Sequence, residues 1–433
     1  LLQLPERAVR LQKPVSGSCG RIPGRGLGRV SLLPKFKKGF IPSPHKSIFI
    51  TLFFTIFTTV TGVGIVVPLL PVYAHELGAA GIYVGLVFGS FSFSRIFLLP
   101  VFGRLSDKNG RKPFILAGLA GYALVSVAFI LSSDVNSLIL IRFVQGIASA
   151  MIMPVVQAYI GEITETGREG YSMGLFNMSM FASLSLGPLM GGTIKDTFSM
   201  DASFLCMGVL SATGFLLSIL FLPSVKKESV RSRERVPVRM RILAKDPALA
   251  SIFFMRFAYT SCIGVIWCFV PLFADREFAL SGTSTGLLVM LGVFISGILN
   301  LPMGWVADRA NKKIMVVTGG LLCSISMLML TLSSSYADLI SAVVVFGIGG
   351  GIAMPAVMAL AVVKGDDSNA MASVMSIMTV AHSIGMMTGS MTAGAAMDFS
   401  NLRNAFPCGM VIMIAGVLTF LFLDRKKAKS YRL

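Results

Sequence analysis

Four cationic or protonatable side chains stand inside long apolar runs of this chain: Arg95, Arg142, Arg256 and His382. A charge at the centre of a hydrocarbon layer costs about 2.5–3.5 kcal/mol on insertion scales, so such a group faces protein or water and marks a pathway or a relay. Arg142 opens the segment RFVQG, in which Arg142, Gln145 and Gly146 follow at i, i+3 and i+4 and so share one face of a helix. Arg142 lies about 9 Å from one end of its run at 1.5 Å per residue, so snorkelling to the interface is the alternative. His382 lies about 18 Å from the nearer basic loop and is the intramembrane group whose ordinary pKa is close to neutrality. Together with Asn177, Arg95 and Arg256 it forms the candidate set for a cavity or proton site; the plainer reading of His382 is a bonded interhelical histidine.

A second feature is conformational. The stretch SLGPLMGG, residues 185–192, places Gly187, Pro188, Gly191 and Gly192 within one apolar run. Proline removes a helix donor and clashes with the carbonyl four residues back. Ser179, Ser183, Gly187 and Gly191 recur every four residues, a small-residue stripe against which another helix packs closely. The run is either a seam with an incidental kink or a moving part.

Composition dictates what must position these residues. Of 433 residues 54% are hydrophobic and 13% charged, with a mean hydropathy of +0.79, whereas ordinary soluble domains are about 25% charged. Twelve apolar spans result, at 47–74, 80–102, 113–132, 136–160, 171–193, 202–222, 249–272, 282–304, 313–333, 338–362, 370–396 and 403–423. Each is long enough to cross about 30 Å of hydrocarbon. The layout is therefore a basic tail (1–46), a six-span bundle (47–222), a basic linker (223–248), a second six-span bundle (249–424) and a basic end (425–433).

The net charge of +18 is not gathered on one folded face, which argues against nucleic acid. It sits in the termini, the linker and the short loops around Arg104, Lys108, Arg111 and Lys112 and around Arg309, Lys312 and Lys313, which places these on the cytoplasmic side of a cytoplasmic membrane. The tail has no apolar span and is not a secretory signal; an organellar transit peptide and a misassigned start are both open for it. The cysteines lack metal-ligand spacing, acidic groups are too sparse for a catalytic carboxylate pair, and no P-loop or Gly-x-Ser-x-Gly pattern occurs. These absences predict no metal, no catalytic residues and no enzyme.

An internal repeat runs through the chain. A shift of 201 residues carries Gly85, Gly103, Asp107, Lys112 and Met153-Pro154 onto Gly286, Gly304, Asp308, Lys313 and Met354-Pro355. One further residue carries Gly187, Gly192 and Asp196 onto Gly389, Gly394 and Asp398. Parallel repeats flanking a midplane site are one plan of secondary transporters. The second half keeps a small residue every four, at Ala381, Gly385, Gly389 and Ala393, and only Pro188 lacks a partner, facing Ser390 in SIGMMTGSMTAG.

GRLSDKNGRKP (103–113) resembles the loop signature of the major facilitator superfamily, and GWVADRANKK (304–313) resembles its second copy. The resemblance covers about residues 47–424 and implies an all-α membrane protein: twelve transmembrane helices in two pseudo-symmetric six-helix bundles that close alternately over a central cavity. It implies a cytoplasmic gating latch of Gly103, Asp107, Gly110 and Arg111, with Gly304, Asp308 and Arg309 in the second copy. There Asn311 replaces the turn glycine and specifies the turn less well. RFVQG resembles the span-4 motif implicated in proton coupling, and GPLMGG resembles the antiporter motif of proton-coupled exporters. The first span has no Asp or Glu, and Glu162 is the nearest acidic candidate.

Residues and resemblance together predict proton-driven export of small amphipathic, drug-like organic molecules. Such transport needs the lipid bilayer, a substrate and protons, with no cofactor and a single chain. Two alternatives stand beside it: a metabolite uptake symporter or uniporter of the same fold, and a non-transporting membrane receptor or scaffold.

Overall fold

The computed structural model describes residues 43–164, 169–223, 246–368 and 371–430. The basic tail as far as residue 42, residues 224–245 of the linker and the last three residues lie outside the described residues. Among the described residues twelve long helices and no strand occur. The first six are α1 (Ser43–Glu76), α2 (Gly81–Asn109), α3 (Arg111–Ile130), α4 (Val135–Ile163), α5 (Glu169–Thr197) and α6 (Met200–Phe221). The second six are α7 (Pro247–Phe278), α8 (Gly282–Arg309), α9 (Lys312–Leu332), α10 (Tyr336–Asp367), α11 (Met371–Phe399) and α12 (Ala405–Ser430). Among the described residues, eleven helical segments are long and apolar enough to cross a membrane. The helix that falls short is α11, whose apolar residues are diluted by serines, threonines and glycines.

The helices start where the chain supplies an acceptor for their free N–H groups. Asp134 accepts from Ser137 N at 2.9 Å, and Ser199 accepts from Ala202 N at 3.1 Å. Asp246 accepts from Ala248 N at 2.8 Å with Pro247 in the first turn, and Ser335 with Asp338 forms a reciprocal capping box. The helices run past the apolar spans into the interface. The expected loop 103–113 is thus mostly helix: α2 continues to Asn109 and α3 begins at Arg111. A hydropathy window finds the hydrocarbon-matched length, whereas hydrogen bonding carries a helix on through polar turns. Gly110 is the whole connection, at φ +88°, a conformation that favours glycine. Asn311, at the equivalent place, has φ −71° and caps α9 through Lys313 N at 3.0 Å. Its turn is specified by a cap instead of a glycine.

Packing obeys a two-fold rule. In the first half α1 lies on α5 and α6, α2 on α4, and α3 on α4 and α6. In the second, α7 lies on α11 and α12, α8 on α10, and α9 on α10 and α12. The halves meet through two equivalent pairs, α2 with α11 and α5 with α8. The end of the assembly that carries Asn109, Ile163, Arg309 and Asp367 is the basic end; the other, which carries Glu76, Thr197, Phe278 and Phe399, is the far end.

Candidate functional site

Between the halves, on the basic side of mid-helix, lies a cavity of about 250 Å³. The first half contributes Arg95, Ile96, Leu99 and Pro100 from α2, Met153, Pro154 and Gln157 from α4, and Met180 from α5. The second contributes Ser376, Thr379, Val380 and Ser383, all on α11. Pro100 and Pro154 sit inside their helices at the wall, where the carbonyls they leave free are tolerated because the backbone borders a cavity. The lining is mixed: aliphatic and thioether surface, three hydroxyls, one amide and one guanidinium.

The cations fall into two groups. Arg142 is buried, with Nε donating to the Val87 carbonyl at 3.3 Å and Nη1 to Gln145 Oε1 at 2.6 Å. Its guanidinium lies 4.6 Å from the Phe91 ring centroid and 5.0 Å from that of Phe88. The side chain thus turns onto α2 and does not reach for the interface. Gly146, one turn on, lets α4 approach the Phe91 carbonyl and Ser94 of α2. Arg95 belongs to the cavity and stacks on Phe91 at 5.3 Å, and its Nε is buried without a hydrogen-bond partner.

Arg256 reaches Met354 Sδ at 3.1 Å and His382 Nδ1 at 3.4 Å, and its Nε is also unpartnered. His382, although next to Ser383 in the chain, does not line the cavity, and neither does Arg256. Asn177 is exposed and outside the lining. Ser376, Thr379 and Ser383 escape recognition by residue type, because hydroxyls on a helix are common. Their spacing of three and four residues along α11 was the available signal.

At the far end the small-residue motifs resolve into two functions. Gly187 and Gly191 face α1 within their own half: a Cβ on Gly187 would lie 2.6 Å from the Thr61 carbonyl oxygen. Pro188 and Gly192, on the adjacent face, meet α8 of the other half, at Gly286 and Gly282 respectively. The second half repeats the division. Gly385 and Gly389 face α7, while Ser390 and Gly394 meet α2 at Gly85 and Gly81. Ser390 Oγ donates to the Gly85 carbonyl at 3.1 Å.

The repeat also holds a pair whose role residue order does not disclose. Asp196, at the end of α5, accepts from Gly282 N at 2.8 Å, Thr283 N at 2.7 Å and Thr283 Oγ1 at 2.7 Å. Asp398, at the end of α11, accepts from Gly81 N at 2.6 Å and Ile82 N at 2.8 Å. Each carboxylate caps the positive N-terminus of a helix in the opposite half.

At the basic end Arg111 is held at 2.6 Å from Asp107 and 2.5 Å from Glu162, and donates to Ser106 Oγ at 2.6 Å. Asp107 is thus engaged within its own half. In the second copy Arg309 lies over the Trp305 ring at 3.9 Å. Among the described residues, nothing stands within 4 Å of where a Cβ on Gly103 or Gly304 would lie. Lys364 pairs with Asp246 and ties α10 to α7. Burial by itself raises the Asp246 carboxyl, but the Lys364 bond and charge, with the Ala248 and Leu249 amides, outweigh it and hold the group below its ordinary range.

Comparison with known proteins agrees with this architecture. The sequence model of the Major Facilitator Superfamily matches residues 52–275 and 252–432. An MFS-type transporter of Methanocaldococcus jannaschii, itself uncharacterized, is 26% identical over 387 residues, covering 88% of this chain and 99% of the relative. Multidrug resistance protein 2 of Bacillus subtilis is 24% identical over 399 residues, covering 88% and 96%. Among solved structures, the nucleoside transporter NupG superposes with a TM-score of 0.75 at 12% identity, over 87% of this chain and 99% of that one. Two matched halves, twelve helices and a cavity between them lead to one assignment: the chain belongs to the Major Facilitator Superfamily, as an integral multi-pass membrane protein that is a transporter and not an enzyme.

Proposed function

We propose that the protein exports small amphipathic organic molecules in exchange for protons by alternating access, and works as a single chain in the cytoplasmic membrane. The observation that carries alternating access is the inequality of the two ends. The halves are capped and in backbone contact at the far end, while the cavity lies toward the basic end. If the Lys- and Arg-rich loops face the cytoplasm, as the positive-inside rule has it, this is the state in which an exporter loads. Placement of Pro188 and Gly192 on the inter-half seam supports a role for GPLMGG in the rocking step, and the relative named for multidrug resistance supports export.

In this reading Arg142 and its Gln145 contact report the protonation state to α2, with His382 and Glu162 as the proton-carrying candidates. Asp107 leaves Arg111 for the second half when the basic end closes. The test is efflux from proteoliposomes under an imposed pH gradient. Flux of a drug-like probe that rises with the gradient and collapses with an uncoupler is expected; flux that tracks only the probe's own gradient sinks antiport. One observation favours a uniporter instead: among the described residues, Asp and Glu lie only in the first or last turn of a helix or beyond its apolar span.

A further inference from the structure

The cavity has an unbalanced charge. Arg95 lines it, and His382, the neighbour of the lining Ser383 on α11, meets Arg256 Nη2 at 3.4 Å. Among the described residues, no carboxylate is in the cavity lining. Buried charges are ordinarily paired, and here the donors that would do the pairing are unengaged. Arg95 Nε, Arg256 Nε and Ser383 Oγ are buried without hydrogen-bond partners, and Ser383, which lines the cavity, is only 2% exposed.

The geometry points to an organic anion as the substrate class: a carboxylate or phosphate group between Arg95 of α2 and the Thr379–Ser383 face of α11, with an apolar body against Leu99, Met153, Met180 and Val380. This rests on the transporter reading above and narrows it. A guanidinium with a hydroxyl offers the donors an anionic oxygen takes, and the methionine and leucine wall accepts varied apolar shapes. The placement also explains how loading would act on the halves. An anion held by Arg95 of one half and by the Thr379–Ser383 face of the other bridges α2 and α11 and draws the two helices together at the basic end.

The experiment uses the purified full chain in nanodiscs with three probes of one shape and different charge: 4-phenylbutyrate, 4-phenylbutanol and 4-phenylbutylamine. Binding is read by calorimetry, and transport by uptake of the same labelled probes into proteoliposomes. Phenylbutyrate should bind roughly tenfold or more tightly than the alcohol, the worth of one charge-assisted hydrogen bond, and the amine weakest. Arg95→Gln should erase the preference for phenylbutyrate over the alcohol; Ser383→Ala, a gentler change, should reduce it in part. Equal or tighter binding of the alcohol or amine overturns the anion assignment, and so does an unaltered preference in folded Arg95→Gln. Anion-selective binding without movement of any probe would instead overturn the transporter reading while keeping the site.

Discussion

Each end of this molecule is built from two copies of one repeated sequence, one copy from each half, and the two ends are in opposite states. At the far end glycines let backbones touch: Gly192 against Gly282, Gly394 against Gly81, Gly85 against Ser390. Two carboxylates reach across to cap helices of the other half. At the basic end Gly103 and its repeat partner Gly304 border open space: among the described residues, nothing stands within 4 Å of where a Cβ on either would lie. The ion pairs of Arg111 and Lys364 there each stay inside one half. Two-fold repetition makes the halves alike; which end is closed is decided by which set of cross-half contacts is made. A contact formed at only one end at a time stabilises one state alone, which is what a population shift requires.

The strongest way to break this comparison is to add one methyl group at each end. Gly192→Ala drives a Cβ into the Gly282 carbonyl and the Thr283 backbone, neither of which is a flexible side chain. Overpacking of this kind costs about 1–3 kcal/mol. Gly103→Ala meets open space in a helix interior, where alanine is favoured over glycine by up to about 1 kcal/mol. Thermal unfolding in detergent should therefore fall for the first and hold or rise for the second. A fall for both would mean that the basic end also closes tightly in the resting protein.

Next in size is the contrast between the two copies of the loop motif. Arg111 is 9% exposed and holds two carboxylates that are themselves about a third exposed. After discounting for solvent, Arg111→Ala should cost about 1–2 kcal/mol. Arg309 rests on Trp305, itself 60% exposed, and Arg309→Ala should cost about 0.5 kcal/mol or less. Equal losses in unfolding midpoint would show that the second copy also holds a network in the resting state.

Much of this was legible in the sequence because it is periodic. Apolar length, the repeat offset and the glycine spacing determine the helices and their pairing, since small residues every four positions leave few ways for helices to approach. The breaks of symmetry were not legible. Nothing in the order of residues says that Asp196 reaches Gly282 in the other half, because a carboxylate at a helix C-terminus normally opposes the dipole of its own helix. Its repetition as Asp398 was the signal, without a partner to interpret it. Arg142 was ambiguous for a related reason: depth along a helix is readable, but whether the side chain turns toward Val87 and Gln145 or toward the interface depends on α2 being there. The extent of α2 through Asn109 was missed because hydropathy marks the membrane and not the helix.

A smaller effect tests the caps themselves. Asp196→Asn and Asp398→Asn keep an acceptor and remove the charge, and each should weaken the far-end closure by about 1 kcal/mol or less. In equilibrium terms that is up to about fivefold in the open population, read as faster alkylation of a cysteine introduced at Ile82. The double variant should show nearly the sum, as the caps share no partner. Unchanged alkylation in the double variant would show that the glycine contacts alone hold this end.

The smallest expected change in stability is at the one place where the seams differ. Ser390→Ala removes the hydroxyl that donates to the Gly85 carbonyl, worth about 0.5–1 kcal/mol, and leaves the helix regular. Pro188, at the same position of the first half, offers no donor; its carbonyl simply abuts Gly286. Pro188→Ala therefore removes no cross-half hydrogen bond and restores helix regularity, so unfolding should barely move. If the kink sets how α5 slides on α8, transport should nevertheless fall severalfold at equal expression, whereas Ser390→Ala should alter transport less than Pro188→Ala does. Transport that tracks expression in both variants would make the proline a passenger on a packing seam, and the asymmetry of the halves would then lie elsewhere, in the caps and the cavity cations.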